Sequence, residues 1–244
     1  MKIVDFNCDV GEGVENERLL MPYISSCNIA CGGHFGDKQT IDKSIQLAID
    51  NQVKIGAHPS FPDKENFGRK TMNISDKELQ KSIVFQMKLF QERLQKKNTK
   101  LHHVKAHGAL YNLIARDKKA AIVFINAIKK YVEGAYLFVP YNSEIEKVAI
   151  KNNINIKYEA FADRNYNDDL SLVSRTKSNA IITNSTEVYQ HVLLMIGQKQ
   201  VKTISNSTIK IKAETFCVHG DNLNALEILK DVTFLLKTQN IHVA

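Results

Sequence analysis

The residues best suited to chemistry are histidines and acids that each follow a short apolar run and stand beside a small residue. Residues 4–8 run into Asp9, Gly11 and Glu12; residues 28–31 run into Gly32-Gly33-His34; residues 53–55 run into Gly56-Ala57-His58-Pro59. Residues 103–105 lead likewise into Ala106-His107-Gly108, and the pattern returns in Glu159-Ala160-Phe161-Ala162-Asp163-Arg164 and Phe216-Cys217-Val218-His219-Gly220-Asp221. A lone strand histidine is most often a satisfied core residue. Four of them at four strand ends, His34, His58, His107 and His219, read as a site, because the carboxyl ends of parallel strands face the ligand. His102, His191 and His242 lack that setting and read as structural or surface residues.

Alternate residues of a strand share a face, so Asp5/Asn7/Asp9, His103/Lys105/His107 and Cys217/His219/Asp221 form polar rows. Such rows suit acid–base chemistry at an amide: Asp9 or His107 as general base, and Lys105 stabilising negative charge on a carbonyl oxygen. His34, His58 and His219 complete the cavity, with Glu12 and Asp221 orienting imidazoles through their second nitrogens. Asp9, His58 and His107 also read as an Asp-His-His metal set that activates water, though no short ligand spacing marks them. Only six residues are arginine, and three of them, Arg69, Arg164 and Arg175, fall in loop motifs. A guanidinium fork there either grips a carboxylate or phosphate or locks a loop. Asn7, Glu12, Asn28, Asp163 and Asp221 join these arginines as candidate substrate contacts.

What must position these groups is an alternation of short apolar runs with stretches of helical period, the pattern of repeated βα units. Candidate strands lie at 3–8, 26–31, 53–57, 101–106, 135–139, 155–160, 179–183 and 214–218. Helices are expected over 38–51, with Ile41, Ile45, Ala48 and Ile49 inward, and over 76–97, with Leu79, Ile83, Phe90 and Leu94 inward. A terminal helix over 222–239 is expected to bury Leu226, Leu229, Val232, Phe234 and Leu236, capped by Asp221 or Asn222. Residues 198–213 read as a small antiparallel hairpin on the barrel. No repeat or linker divides the chain, so the fold expected is α/β: one irregular (β/α) barrel of mainly parallel strands over residues 1–244.

Composition removes other classes. The 33 Lys and Arg against 26 acids leave a formal charge of +7, but no basic run of five and no RNA-binding signature occurs, so no nucleic-acid partner is expected. Four separated cysteines without C-x-x-C pairing imply reduced thiols. No apolar run approaches the roughly 18 residues of a membrane span, and Asp5 interrupts any signal-like stretch, which points to a cytoplasmic protein without membrane contact.

The same segments resemble the LamB/YcsF family. Asp5-Phe6-Asn7-Cys8-Asp9-Val10-Gly11-Glu12 is similar to its opening signature and Asn28-Ile29-Ala30-Cys31-Gly32-Gly33-His34-Phe35-Gly36-Asp37 to its second. Gly56-Ala57-His58-Pro59, Phe67-Gly68-Arg69, and residues 104–112 follow in the family's order, then Phe161-Ala162-Asp163-Arg164 with Tyr166, Leu172-Val173-Ser174-Arg175, and residues 217–221. Ala106 and Ser174 stand where the family usually has proline, Gly33 and Phe35 alter the second motif, and Lys70 replaces a common arginine. The resemblance implies kinship with glycoside hydrolase and deacetylase barrels. It also implies one component of a 5-oxoprolinase, an enzyme that opens 5-oxo-L-proline to L-glutamate with ATP, working with separate B and C subunits. The chain has no G-x-x-x-x-G-K-[ST] loop, so an ATP site is either unconventional or partly the partners'. Two alternatives are a metal-dependent amidase or deacetylase of the same barrel type and a non-catalytic docking subunit. Six polar strand ends argue against the second, since docking calls for an exposed apolar patch.

Overall fold

The computed structural model describes residues 2–244. In chain order its strands are β1 (Lys2–Val10), β2 (Ser26–Ala30), β3 (Lys54–His58), β4 (His103–Val104), β5 (Tyr136–Pro140), β6 (Ile156–Phe161), β7 (Gln200–Lys202), β8 (Thr208–Lys210), β9 (Thr215–Val218) and β10 (Ile241–Val243). Its helices are α1 (Glu17–Leu20), α2 (Lys38–Asp50), α3 (Asp76–Lys96), α4 (Gly108–Arg116), α5 (Lys118–Ile128), α6 (Glu144–Lys151), α7 (Ser185–Gln198) and α8 (Ala225–Thr238).

Strands β1 to β6 pair in parallel in sequence order, and β9 closes the ring by pairing with both β6 and β1. The result is a closed parallel barrel of seven strands wrapped by helices. Because β9 meets β1 only from Asp5 onward, β10 can lie beside residues 2–4 of the same strand. Residues 200–210 form the expected antiparallel hairpin, β7 with β8. Among the described residues no helix is long and apolar enough to cross a membrane.

The apolar core lies between barrel and helices. Helix α2 buries Ile41, Ile45 and Ala48, and α3 buries Leu79, Ile83, Phe90 and Leu94, each at helical spacing. Asp37 caps α2 through Gln39 N and Thr40 N, and a Ser75–Glu78 capping box starts α3, which fixes where the preceding loops end. The barrel interior, by contrast, is polar. Asp5 accepts hydrogen bonds from Ser26 Oγ (2.9 Å) and Thr215 Oγ1 (2.6 Å), and Asn28 accepts from His103 Nε2–H (2.6 Å). Gly56 is required at that level, because a Cβ there would lie 2.1 Å from His103 Nε2.

Three expectations are corrected. Residues 179–183 form no barrel strand: β6 pairs directly with β9, leaving no gap, and Ile181 makes only an isolated antiparallel bridge to Arg164. Phe234 is 68% exposed because it sits two residues from Val232, on the opposite side of α8 from Ile228, Val232 and Leu236, and Ile49 lies at the exposed edge of α2. Neither Asp221 nor Asn222 is the N-cap of α8. That position is Asn224, whose backbone N–H donates to Asn222 Oδ1 at 3.2 Å.

Candidate active site

All six polar segments end at one mouth of the barrel. There a cavity of about 370 Å³ is lined by Asp9, Glu12, His58, Lys105, His107, His219 and the loop residues Arg69, Arg175 and Asp221. His58 Nδ1–H donates to the Lys105 carbonyl at 2.8 Å, and His107 Nε2–H donates to the Phe67 carbonyl at 2.9 Å. Those bonds turn His58 Nε2 and His107 Nδ1 toward each other, 3.0 Å apart. Asp9 Oδ2 lies 3.4 Å from His58 Nε2, and Glu12 Oε1 lies 3.3 Å from His107 Nδ1. His34 stacks on His107 with ring centroids 3.6 Å apart and meets Glu12 Oε1 at 2.7 Å.

Lys105 occupies the centre of the floor. Its ammonium donates to Asp9 Oδ1 (3.0 Å), Asn7 Oδ1 (3.2 Å) and Cys217 Sγ (3.0 Å), and stands 2.9 Å from Glu159 Oε1. Burial works against its charge, but Asp9, Cys217 and Glu159 outweigh burial and hold its pKa well above the usual lysine value. Burial likewise pushes Asp9 up, and the opposing pull of His58 and Lys105 holds it well below the carboxylate range. Glu12 goes the other way: burial and the neighbouring Asp9 raise it to about 8. Burial and His58 hold His34 down at about 2, and burial followed by His34 and His58 holds His107 well below 6.5. The site thus contains an ionised Asp9, a Glu12 carboxyl that keeps its proton near neutrality, and neutral imidazoles at His34 and His107.

Residues 4–244 match the model of the LamB/YcsF family. The chain belongs to the LamB/YcsF family. A Bacillus cereus protein named as the A subunit of 5-oxoprolinase is 38% identical over 95% of this chain and 94% of its own length. One of the same name from Campylobacter jejuni subsp. jejuni is 38% identical over 98% and 96%. The crystal structure of a lactam utilization protein from Thermus thermophilus superposes with a TM-score of 0.91 at 33% identity, covering 100% of this chain and 99% of that one. A family 4 carbohydrate esterase from Streptomyces lividans, at 9% identity, shares the fold with a TM-score of 0.50 over 100% and 92% of the two chains.

In this LamB/YcsF barrel Asp9, His58, Lys105, His107 and His219 meet at the cavity, as their strand-end positions imply. His34 stands behind His107, not at the cavity wall. Asn7, Asn28 and Asp163 lie beneath the cavity, where the asparagines support Asp9 and Lys105. Asp163 Oδ1 accepts from His219 Nδ1–H at 2.8 Å, the orienting task expected of Asp221. Asp221 instead faces Arg69 and Arg175. Arg164 donates to the carbonyls of Ala180 (3.1 Å) and Val173 (2.6 Å), so here the loop-locking alternative describes the contacts. Glu159 is a site residue that the strand-end pattern does not single out. The available signal is its period-two relation to Phe161 and Asp163, which puts an acid on the inner face of β6.

Asp9, Glu12, His58 and His107 offer four ligand atoms within 4.8 Å of one another, and Asp9, Cys217 and His219 offer a second grouping. The first group suits a divalent cation. With both outer ring nitrogens committed as donors to carbonyls, the inner nitrogens present lone pairs to each other, an arrangement that a cation or an additional proton relieves.

Proposed function

We propose that the chain is the A subunit of an ATP-dependent 5-oxoprolinase, working as one barrel domain over residues 1–244, in the cytoplasm, with separate B and C subunits. The reaction is opening of 5-oxo-L-proline to L-glutamate. The observation that carries this reading is the placement of Asp9, His58, Lys105 and His107 around one cavity large enough for a five-membered lactam, in a chain whose full-length relatives bear that enzyme's name.

A lactam is a poor electrophile, so transfer of the ATP γ-phosphoryl group to its oxygen supplies a leaving group before water attacks the ring carbon. His107 Nδ1, with Nε2–H held by Phe67, is placed to take the proton of that water. Lys105 keeps Asp9 ionised and supplies positive charge where the carbonyl oxygen gains negative charge. The C–N bond then breaks and the nitrogen takes up a proton to become the amine, leaving the new carboxyl as an acyl phosphate, which a second water hydrolyses to glutamate and inorganic phosphate. Where a divalent metal is held instead, Asp9, His58 and His107, with Glu12 as a fourth donor, would be its ligands, so that His107 Nδ1 would no longer act as the base, and the metal would supply polarisation of an amide oxygen or a water. A metal-dependent amide hydrolysis without ATP is the second reading, favoured by that four-ligand group.

The test is an assay of purified A, B and C subunits with 5-oxoproline. Glutamate formation that requires ATP and all three subunits is the expected result. Rapid lactam opening by the isolated chain without ATP favours the second reading and overturns the first.

A further inference from the structure

At the mouth of the cavity three loops meet through one carboxylate. Arg69 follows β3, Arg175 precedes α7, and Asp221 follows β9. Arg69 Nη2 and Arg175 Nη1, the latter at 3.4 Å, both point to the single oxygen Asp221 Oδ2. Neither guanidinium has another hydrogen-bond acceptor among the described residues, although Arg69 also lies over the Phe67 ring. Arg164 stands close below: its pKa is lowered first by burial and then by the charge of Arg175. Three guanidinium groups therefore crowd one end of the cavity, and Asp221 supplies the carboxylate that bridges two of them.

The same chain shows what a purely structural arginine pair looks like. Arg93 grips Asp42 with two parallel bonds, Nε to Oδ1 at 2.7 Å and Nη2 to Oδ2 at 2.9 Å, at a junction of α2 and α3 away from the cavity. That two-pronged match uses both carboxylate oxygens and most of the guanidinium fork. At the cavity mouth each arginine makes one contact, to the same oxygen, and the forks are left with donors to spare. All three residues line the cavity.

We propose that Arg69 and Arg175 form an oxyanion subsite for a carboxylate or phosphate group of the ligand, and that Asp221 is its internal competitor, occupying the subsite until the ligand's anion displaces it. The assignment reverses the expectation for Asp221, since a substrate-binding residue weakens binding when removed and a competitor strengthens it. Rotation of the Asp221 side chain suffices for displacement. A backbone shift is not required, and the loop is closely seated, because a Cβ on Gly220 would lie 2.7 Å from the Asp9 carbonyl. The proposal rests on the lactam-opening reading only for the carboxylate source, that of 5-oxoproline; a phosphate source is the alternative origin of the same chemistry.

The experiment is titration calorimetry of the full chain with 5-oxo-L-proline and, separately, with inorganic phosphate at fixed ionic strength. Asp221→Asn should bind at least one of these anions about tenfold more tightly than the parent protein, as expected when a competing charge leaves a guanidinium pair. Arg69→Gln combined with Arg175→Gln should abolish the gain when added to Asp221→Asn. A gain with 5-oxoproline identifies the carboxylate as occupant, and a gain with phosphate alone identifies a phosphoryl group and leaves the subsite standing even if the lactam reading fails. Asp50→Asn, which makes the same charge change on exposed α2, serves as the control, and Asp221→Ser replaces Asp221→Asn if the latter lowers the melting temperature. Unchanged or weaker binding of both anions by the folded Asp221 variant overturns the proposal, as does an equal gain in Asp50→Asn.

Discussion

His58 and His107 meet edge to face, with Nε2 of one 3.0 Å from Nδ1 of the other, while the remaining nitrogen of each ring is tied to a main-chain carbonyl. The separations from His58 Nε2 to Asp9 Oδ2 and from His107 Nδ1 to Glu12 Oε1 are 3.4 and 3.3 Å. Ligands about 2.0–2.1 Å from a tetrahedral zinc ion would stand roughly 3.3–3.4 Å apart. Protein prepared without an affinity tag is therefore expected to take up close to one divalent ion per chain, with Asp9→Ala and His58→Ala each binding it at least about tenfold more weakly. Elemental analysis and titration of metal-stripped protein provide the measurement, and stripped protein that takes up no zinc, cobalt or manganese would falsify the cation site.

His107→Ala should lower ATP-dependent glutamate formation in the three-subunit assay by roughly 10²–10⁴-fold, the usual contribution of a positioned acid–base group. Assembly with the partners should persist, because the side chain faces the cavity and not the outer helices. Steady-state rates and size-exclusion profiles read the two effects separately. Loss of assembly with the fold intact would point to the docking role instead.

Lys105→Ala should also abolish turnover, and unlike His107→Ala it should destabilise the fold. Asp9 and Glu159 both lie within 3.0 Å of the one ammonium, and removing it leaves two buried carboxyl groups without their cation. Breaking such a buried pair costs about 3–5 kcal/mol. Chemical denaturation of the variant against the parent measures this, and a difference below about 1 kcal/mol would show that the ammonium is not integral to the interior network.

Gly56→Ala should cost about 1–3 kcal/mol by overpacking, because the added Cβ would meet the His103 ring, which is fixed by its bond to Asn28. In a His103→Ala background the penalty should largely vanish, since the obstructing ring is gone. Thermal unfolding of the four proteins in this cycle gives the coupling, and equal penalties in both backgrounds would contradict the close approach.

Acid stability should depend on His191, buried on α7 against Tyr166. Burial pushes its pKa from 6.5 down to about 4 in the folded chain. The unfolded chain therefore binds the extra proton between pH 6.5 and about 4, so the contribution is fully present above 6.5 and is lost as pH falls toward 4. The displacement corresponds to on the order of 3 kcal/mol. Unfolding free energies of His191→Gln should fall less steeply than those of the parent across that window, and parallel curves would remove His191 as a cause.

Alternating polarity and helical period alone located seven of the barrel strands, helices α2, α3 and α8, and the strand ends that carry Asp9, His58, Lys105, His107 and His219. Those features are local: a strand's pleat and a helix's turn dictate which residues share a face, whatever the partners are. The identity of the partners is not local. An apolar run at 179–183 looks like a strand in isolation, and only closure of β6 onto β9 excludes it from the ring. Glu159 acquires its place in the site because the barrel turns the inner face of β6, two strands from β4, toward Lys105. For the same reason Asp163, not Asp221, orients His219, and Asp221 faces two arginines from loops distant in sequence. Local sequence sets the face toward which a side chain points, whereas barrel closure and register decide which charge it meets there.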